Sequence, residues 1–237
     1  DEWTGGEVSG VAVDNPDRII VSTWGDENAQ RQERPGSTNY LVVVDRNGDI
    51  VENWSQWDSL FNRPHQVYIN PYDAERHVWV VERGGNGVHE QILKFTNDGS
   101  ELVMQLRDPQ SVLSREEARA NLNPGPLDFG QPAVLAFLPD GHFLLGDGYH
   151  NGRIVKYTTD GEYVDQWHFH RPIAIAAGRG DDTNMYVAEA GPPPVQTTKR
   201  CPPAPARSAQ QRAAASARAQ PCGTGRTWPK GTATYSA

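Results

Sequence analysis

Cysteine is almost absent from this chain. The only two, Cys201 and Cys222, lie in the last 37 residues. Residues 1–195 therefore have no disulfide framework, and cysteine usage says nothing about redox compartment. Long apolar runs are absent as well, so no segment resembles the eighteen or more apolar residues of a membrane-spanning helix. The start, Asp1-Glu2-Trp3, carries no basic and apolar leader, which predicts a signal peptide that is missing or already removed. Tight local metal or nucleophile motifs are absent too: no His-Glu-x-x-His, no Cys-x-x-Cys, no Gly-x-Ser-x-Gly elbow and no phosphate-binding glycine loop before a helix.

A further absence divides the chain. Residues 196–237 contain no Ile, Leu, Val, Met or Phe and no Asp or Glu, but seven Lys and Arg. Such a segment cannot build a core and is expected to be a disordered, basic, low-complexity tail. Its composition switches abruptly after Pro194-Val195, in the middle of a repeat. That is also what a shifted reading frame in GC-rich coding DNA produces, in which case further repeats are missing here. The formal net charge of −8 hides this division, because residues 1–195 alone hold 15 basic against 30 acidic residues, a net of −15. A body this acidic lacks the positive footprint of a nucleic-acid binder and suits neutral or cationic ligands and divalent metals.

What residues 1–195 do contain is a repeat. Its clearest copy is Leu145-Gly146-Asp147-Gly148-Tyr149-His150-Asn151-Gly152-Arg153-Ile154-Val155-Lys156-Tyr157, a strand, a glycine-framed turn and a second strand. Apolar hairpins recur at Ser9–Ser22, Pro64–Glu82, Pro132–Asp147 and Pro172–Glu189. The first three continue into a second hairpin, through Asp45-Arg46-Asn47-Gly48, Asn97-Asp98-Gly99 and Asp160-Gly161. Asn-Gly and Asp-Gly between alternating strands are strong hairpin signals. Four short strands per unit, repeated every few tens of residues, predict the blades of an all-β propeller. The blades fall at about 9–57, 63–107, 131–169 and 171–190, about three and a half in all, inside a domain spanning 1–195. Two insertions interrupt the turns. Ser114-Arg115-Glu116-Glu117 fits a capping box and predicts a short helix within 108–128, either a plain surface excursion or a lid. The other runs from Gly25 to Ser37 and carries Arg31 and Arg34 across the same face.

All seven histidines lie before residue 196. His65 follows Pro64 at the start of an inner strand, where a propeller's strands surround a central channel. It therefore either caps its strand or faces a shared axial site. His168 and His170 alternate about Phe169 and share a face of an extended segment. His150 reads equally as a solvated turn residue, and His77, His89 and His142 occupy hairpin or loop positions. Asp45 and Asp147 recur at turns, which argues for turn geometry over acid–base work. Tyr149 is unusual in a glycine-framed turn, and a phenol there acts as a base when a cation stabilises its phenolate.

Two stretches carry a resemblance to a known family. Phe61-Asn62-Arg63-Pro64-His65-Gln66-Val67, with Val78-Trp79-Val80 downstream, is the first. The second runs from Phe129-Gly130-Gln131-Pro132 through Gly146-Asp147-Gly148-Tyr149 to Gln166-Trp167. Together they resemble NHL-repeat propellers, in particular the six-bladed peptidyl-α-hydroxyglycine α-amidating lyases. The resemblance covers roughly residues 9–190. It implies cleavage of a peptide ending in α-hydroxyglycine to a peptide amide and glyoxylate, a zinc held by three His, a nearby calcium, and a secreted or periplasmic setting. His65 would be a zinc ligand, Tyr149 the catalytic base, and the Val67 carbonyl a neighbour of the calcium. The second zinc His is replaced, since Pro172 is followed by Ile173, which leaves His170 as a substitute. The family's substrate-binding Arg has no counterpart in Ser22-Thr23-Trp24-Gly25-Asp26, which leaves Arg31 or Arg34 to reach in. Two functions therefore stand side by side: a lyase-like metalloenzyme, truncated or diverged, and a non-catalytic platform for a protein, peptide or small ligand on the loop face.

Overall fold

The computed structural model describes residues 6–25, 38–85, 90–107, 124–178 and 184–190. Arg31, Arg34, the helix expected from Ser114 and the tail at 196–237 lie outside them. Every strand pairs with its neighbour in sequence, as short Asp- and Gly-rich connections dictate. The first meander is β1 (Val8–Asn15), β2 (Arg18–Thr23), β3 (Leu41–Val44) and β4 (Ile50–Asn53). The second is β5 (Pro64–Ile69), β6 (Val78–Glu82), β7 (Gln91–Phe95) and β8 (Leu102–Leu106). The third is β9 (Val134–Leu138), β10 (His142–Asp147), β11 (Arg153–Thr158) and β12 (Tyr163–His168). A hairpin of β13 (Pro172–Ala177) and β14 (Met185–Glu189) follows. All pairs are antiparallel, and the outer hairpins share a register shift at their turn ends, at Val43/Val44, Lys94/Phe95 and Lys156/Tyr157. Each sheet's first strand lies against the next sheet's first strand, β1 on β5, β5 on β9 and β9 on β13. This is an all-β propeller arrangement.

The middle sheet explains why β6 reads Val-Trp-Val-Val with no polar alternation. Val78 and Val80 enter a core shared with Ile20, Leu41, Val43 and Phe95, while Trp79 and Val81 enter one shared with Phe137, Phe143, Leu145 and Tyr157. A strand buried on both faces has no solvent side to make polar. Trp79 is fully buried, with Phe143 and Phe137 ring centroids at 5.1 and 5.3 Å and Lys94 Nζ at 5.3 Å. One further element follows the first meander: a 3-10 helix at Ser55–Leu60, just after the first blade's last strand. It presents the Asp58 carboxylate to the backbone N–H groups of Asn39 and Tyr40.

The four second strands end alike. Thr23, Glu82, Asp147 and Glu189 each close their strand. The last three accept backbone N–H groups of the segment entering their own sheet: Asn62 and Arg63 on Glu82, Gly130 on Asp147, His170 and Arg171 on Glu189. Thr23 does the converse and donates its hydroxyl to the Asn39 carbonyl. Three of the four second-strand ends thus tie the entering loop to their own sheet.

Glu82 is fully buried, and burial pushes its carboxyl up to about 7 against the backbone N–H groups that favour its charge. An unfolded glutamate ionises near 4.5, so the native state holds this proton longer than the unfolded chain. Its contribution is complete below 4.5 and is lost as pH rises through about 7, a loss of about 3 kcal/mol for a shift of that size. Glu90, pushed up to about 7 by burial, and Asp147, raised by burial, act with the same sign. Thermal melts are therefore expected to show the melting temperature falling between pH 5 and 8, with a shallower fall in Glu82→Gln. A melting temperature that rises across this range would contradict the assignment.

Candidate functional site

Tyr149 stands in the turn leaving β10, and His65 is the second residue of β5. Separate sheets bring them together: the Tyr149 hydroxyl lies 3.2 Å from His65 Nε2, with ring centroids 5.7 Å apart and planes at 71°. The other ring nitrogen, Nδ1, lies 2.7 Å from the Ala133 carbonyl oxygen, just before β9. A carbonyl only accepts, so Nδ1 carries the proton, Nε2 presents its lone pair, and the Tyr149 hydroxyl donates to it. Burial holds the His65 pKa below 6.5; the Ala133 carbonyl opposes this and the charge of Arg83 adds to it. His65 is accordingly neutral at neutral pH.

Two arginines close on the same ring. Arg83, just after β6, places its guanidinium carbon 4.1 Å from the Tyr149 ring centroid, and Arg171, just before β13, places its own at 4.9 Å. Arg83 Nη2 also donates to Gln131 Oε1 at 2.9 Å. Gln131 is one of three non-glycine residues with positive φ among the described residues, at 58°. Residues from the second and third sheets and from the start of the β13–β14 hairpin thus converge on one phenol.

The turn that carries Tyr149 is fixed from below. Asp147 Oδ1 accepts the Gly130 N–H at 2.7 Å, and Oδ2 accepts from Asn151 Nδ2 at 2.7 Å and Arg153 Nε at 3.0 Å. Asn151 Nδ2 also reaches the Asp128 carbonyl. Close packing completes the support. A Cβ on Gly148 would lie 1.9 Å from the Pro172 carbonyl oxygen, and one on Gly152, at φ +58°, 2.8 Å from the carbonyl oxygens of Phe169 and His170. The glycines here permit close approach to the next sheet.

The other expected residues fall as follows. Val67 is buried in the core between the first two sheets. His170 has an exposed side chain, and its backbone N–H donates to Glu189. Among the described residues no group of three His, Cys, Asp or Glu side chains could hold a metal ion. His65, neutral and with Nδ1 anchored to a carbonyl, fits a single ligand of a metal site. The described residues do not fit a complete three-ligand zinc site. Arg83, Arg171, Gln131 and Arg153 are not among the residues that the sequence singles out. Their signal is positional, since Arg83 and Arg171 flank strand ends on the same side as Pro64-His65.

By fold the chain is an all-β propeller. No protein-family model matches the sequence. It is 28% identical over 187 residues to the rat (Rattus norvegicus) peptidylglycine alpha-amidating monooxygenase, covering 70% of this chain and 17% of that protein. It is 27% identical over 176 residues to peptidyl-alpha-hydroxyglycine alpha-amidating lyase 1 of Drosophila melanogaster, covering 68% and 29%. It is 24% identical over 172 residues to a probable lyase of the same name from Caenorhabditis elegans, covering 68% and 44%. At family level the chain is a relative of the peptidyl-α-hydroxyglycine α-amidating lyases. It spans less than half the length of each of these relatives.

Proposed function

We propose that the Tyr149–His65 pair is the acid–base centre of a site for peptides, or small amides, ending in α-hydroxyglycine. The observation that carries this reading is the 3.2 Å contact between two side chains 84 positions apart. In the proposed reaction Tyr149 takes the proton of the substrate's carbinol hydroxyl while its own hydroxyl proton moves to His65 Nε2. The carbinol oxygen becomes the aldehyde oxygen of glyoxylate, and the C–N bond breaks. The amide nitrogen takes its proton from Tyr149, which recovers its own from His65, so the protons balance. Zinc on His65 Nε2 would occupy the lone pair that receives this proton, so a zinc held through His65 is an alternative to this relay and not part of it; calcium near the Val67 carbonyl belongs to the proposal as a ligand only. The second reading is a binding platform without turnover, favoured by the single fitting metal ligand among the described residues.

The test uses α-hydroxyhippurate, with glyoxylate and benzamide as products. Turnover is expected in the intact chain and should fall about 100-fold or more in Tyr149→Phe, the usual scale for a positioned acid–base group. It should also fall as pH drops below 6.5 and His65 gains its proton. Metal content measured on the same samples tests the ligand role: zinc present in the native chain and lost in His65→Ala supports it. Binding of α-hydroxyhippurate without products leaves the platform reading.

A further inference from the structure

His65 occupies an irregular place in its strand. Pro64 pairs with Glu82 and Gln66 with Val81, so His65 is the extra residue of a bulge at the start of β5. The same bulge opens β1 at Ser9 and β13 at Ile173. A bulge re-aims the side chain it carries and locally interrupts the backbone ladder. Here side chains stand in for the ladder. Glu82 Oε1 accepts the N–H groups of Arg63 and Gly84 at 2.9 and 2.6 Å, and Oε2 those of Asn62 and Arg63 at 3.2 and 3.1 Å. Trp24 Nε1 donates to the Pro64 carbonyl at 3.1 Å. Just past the bulge β1 crowds the strand, since a Cβ on Gly10 would lie 2.7 Å from the Val67 nitrogen and 2.9 Å from the Gln66 Cα. The equivalent position in the third sheet is built differently. There Asp147 faces Arg153 across the ladder and pairs with it, whereas Glu82 faces the neutral Gln91.

We propose that Glu82 is the positioning residue of the Tyr149–His65 pair, holding the β5 bulge in register so that His65 Nε2 meets the Tyr149 hydroxyl. The proposal rests on reading that pair as the acid–base centre. A strand start freed of this carboxylate can recover a regular ladder by slipping one residue, and a one-residue slip turns a side chain to the other face of its sheet. His65 would then lose both the Ala133 carbonyl on Nδ1 and the Tyr149 hydroxyl on Nε2. Through Gly84 the same carboxylate also pins the end of β6, so both strands of the bulged pair are fixed at one point. Keeping a fully buried carboxyl away from any facing cation is costly, and support of the bulge gives that cost a purpose.

The experiment records nitrogen-15 NMR spectra of the histidine rings in the full chain at neutral pH, with the His65 signals identified by their loss in His65→Gln. The native chain is expected to show His65 protonated on Nδ1 and bare on Nε2. Glu82→Gln and Glu82→Ala are expected to shift it toward the Nε2-protonated ring that an unanchored imidazole prefers. On α-hydroxyhippurate, kcat should fall about 10-fold in Glu82→Gln and about 100-fold in Glu82→Ala, the scale of misplacing a reacting group by about 1 Å, with KM changed less than about 3-fold. Asp58→Ala is the control, because Asp58 also holds two backbone N–H groups, those of Asn39 and Tyr40, but none beside His65. It should leave the tautomer and kcat unchanged. An unchanged His65 tautomer in Glu82→Ala, or an equal change in Asp58→Ala, would overturn the proposal. If Glu82→Ala does not fold, Glu82→Gln, which keeps the volume, decides by the same criterion. A native chain without turnover would remove the catalytic reading, while the tautomer would still decide whether Glu82 places His65.

Discussion

Arg153→Met is expected to destabilise the protein by about 3–5 kcal/mol, the range for breaking a buried ion pair by removing one partner. Arg153 and Asp147 have fully buried side chains. All five guanidinium N–H groups have acceptors: Asp147 Oδ2 at 3.0 Å, the carbonyls of Pro124, Gly125 and Asp128 at 2.9, 3.1 and 2.9 Å, and Gln166 Oε1 at 2.9 Å. One side chain therefore binds β10, β12 and the 124–128 segment together. Its loss strands the Pro124 carbonyl, since those of Gly125 and Asp128 keep the Asp128 N–H and Asn151 Nδ2 as donors, and it leaves Asp147, whose pKa burial already raises, without its cation. Arg153→Lys is not a rescue, because an ammonium cannot reproduce the fork. Removing both charges in Asp147→Asn/Arg153→Met should cost less than the two single changes added together, since neither variant group is then a buried unpaired ion. Urea unfolding reads the native chain and all four variants. A loss below about 1 kcal/mol in Arg153→Met would mean that the 124–128 segment relaxes around the gap and that the network stabilises little.

The same network shows why parts of this protein are legible in its sequence and others are not. The hairpins are, because β-propeller contacts are mostly between strands adjacent in the chain. A period of two between Asp-Gly and Asn-Gly turns identifies each pair locally. Tyr149 and His65 are recognisable one at a time, each from an unusual neighbourhood, the glycine-framed turn and the Pro-His strand start. Their contact is not, because it depends on how one sheet rotates against the next. Arg83, Arg171 and Arg153 carry still less signal. An arginine beside a strand end is ordinary surface text, and nothing local distinguishes the fully buried Arg153 from the exposed Arg46, which pairs with Asp17 at a hairpin tip. The 3-10 helix at Ser55–Leu60 escapes a sequence reading for a related reason. Its stabilising contacts are tertiary: Asp58 on Asn39 and Tyr40, and Trp57 Nε1 on the Gly99 carbonyl at 2.8 Å.

Gly148→Ala is expected to lower α-hydroxyhippurate turnover about 100-fold or more, the scale of losing a positioned acid–base group, while costing about 1–3 kcal/mol of stability, the scale of overpacking in a tight site. The added Cβ would sit 1.9 Å from the Pro172 carbonyl oxygen, 2.9 Å from its carbonyl carbon and 3.1 Å from its nitrogen. These are backbone atoms at the start of β13, so no side-chain rotation relieves the clash. Either the Tyr149 turn or the Arg171-Pro172 corner must move, and the ring of Tyr149 and the guanidinium of Arg171 ride on those two segments. Gly141→Ala is the control. Gly141 has φ +80° in the β9–β10 turn, and a methyl group there would meet nothing within 4 Å, so alanine adds backbone strain alone, roughly 1–2 kcal/mol. The two variants thus carry comparable stability costs but opposite consequences for the site. Turnover retained in Gly148→Ala to within twofold would mean that close approach of β13 does not position Tyr149. Turnover lost in both variants would mean that the site responds to general loosening of the sheet instead of to this one contact.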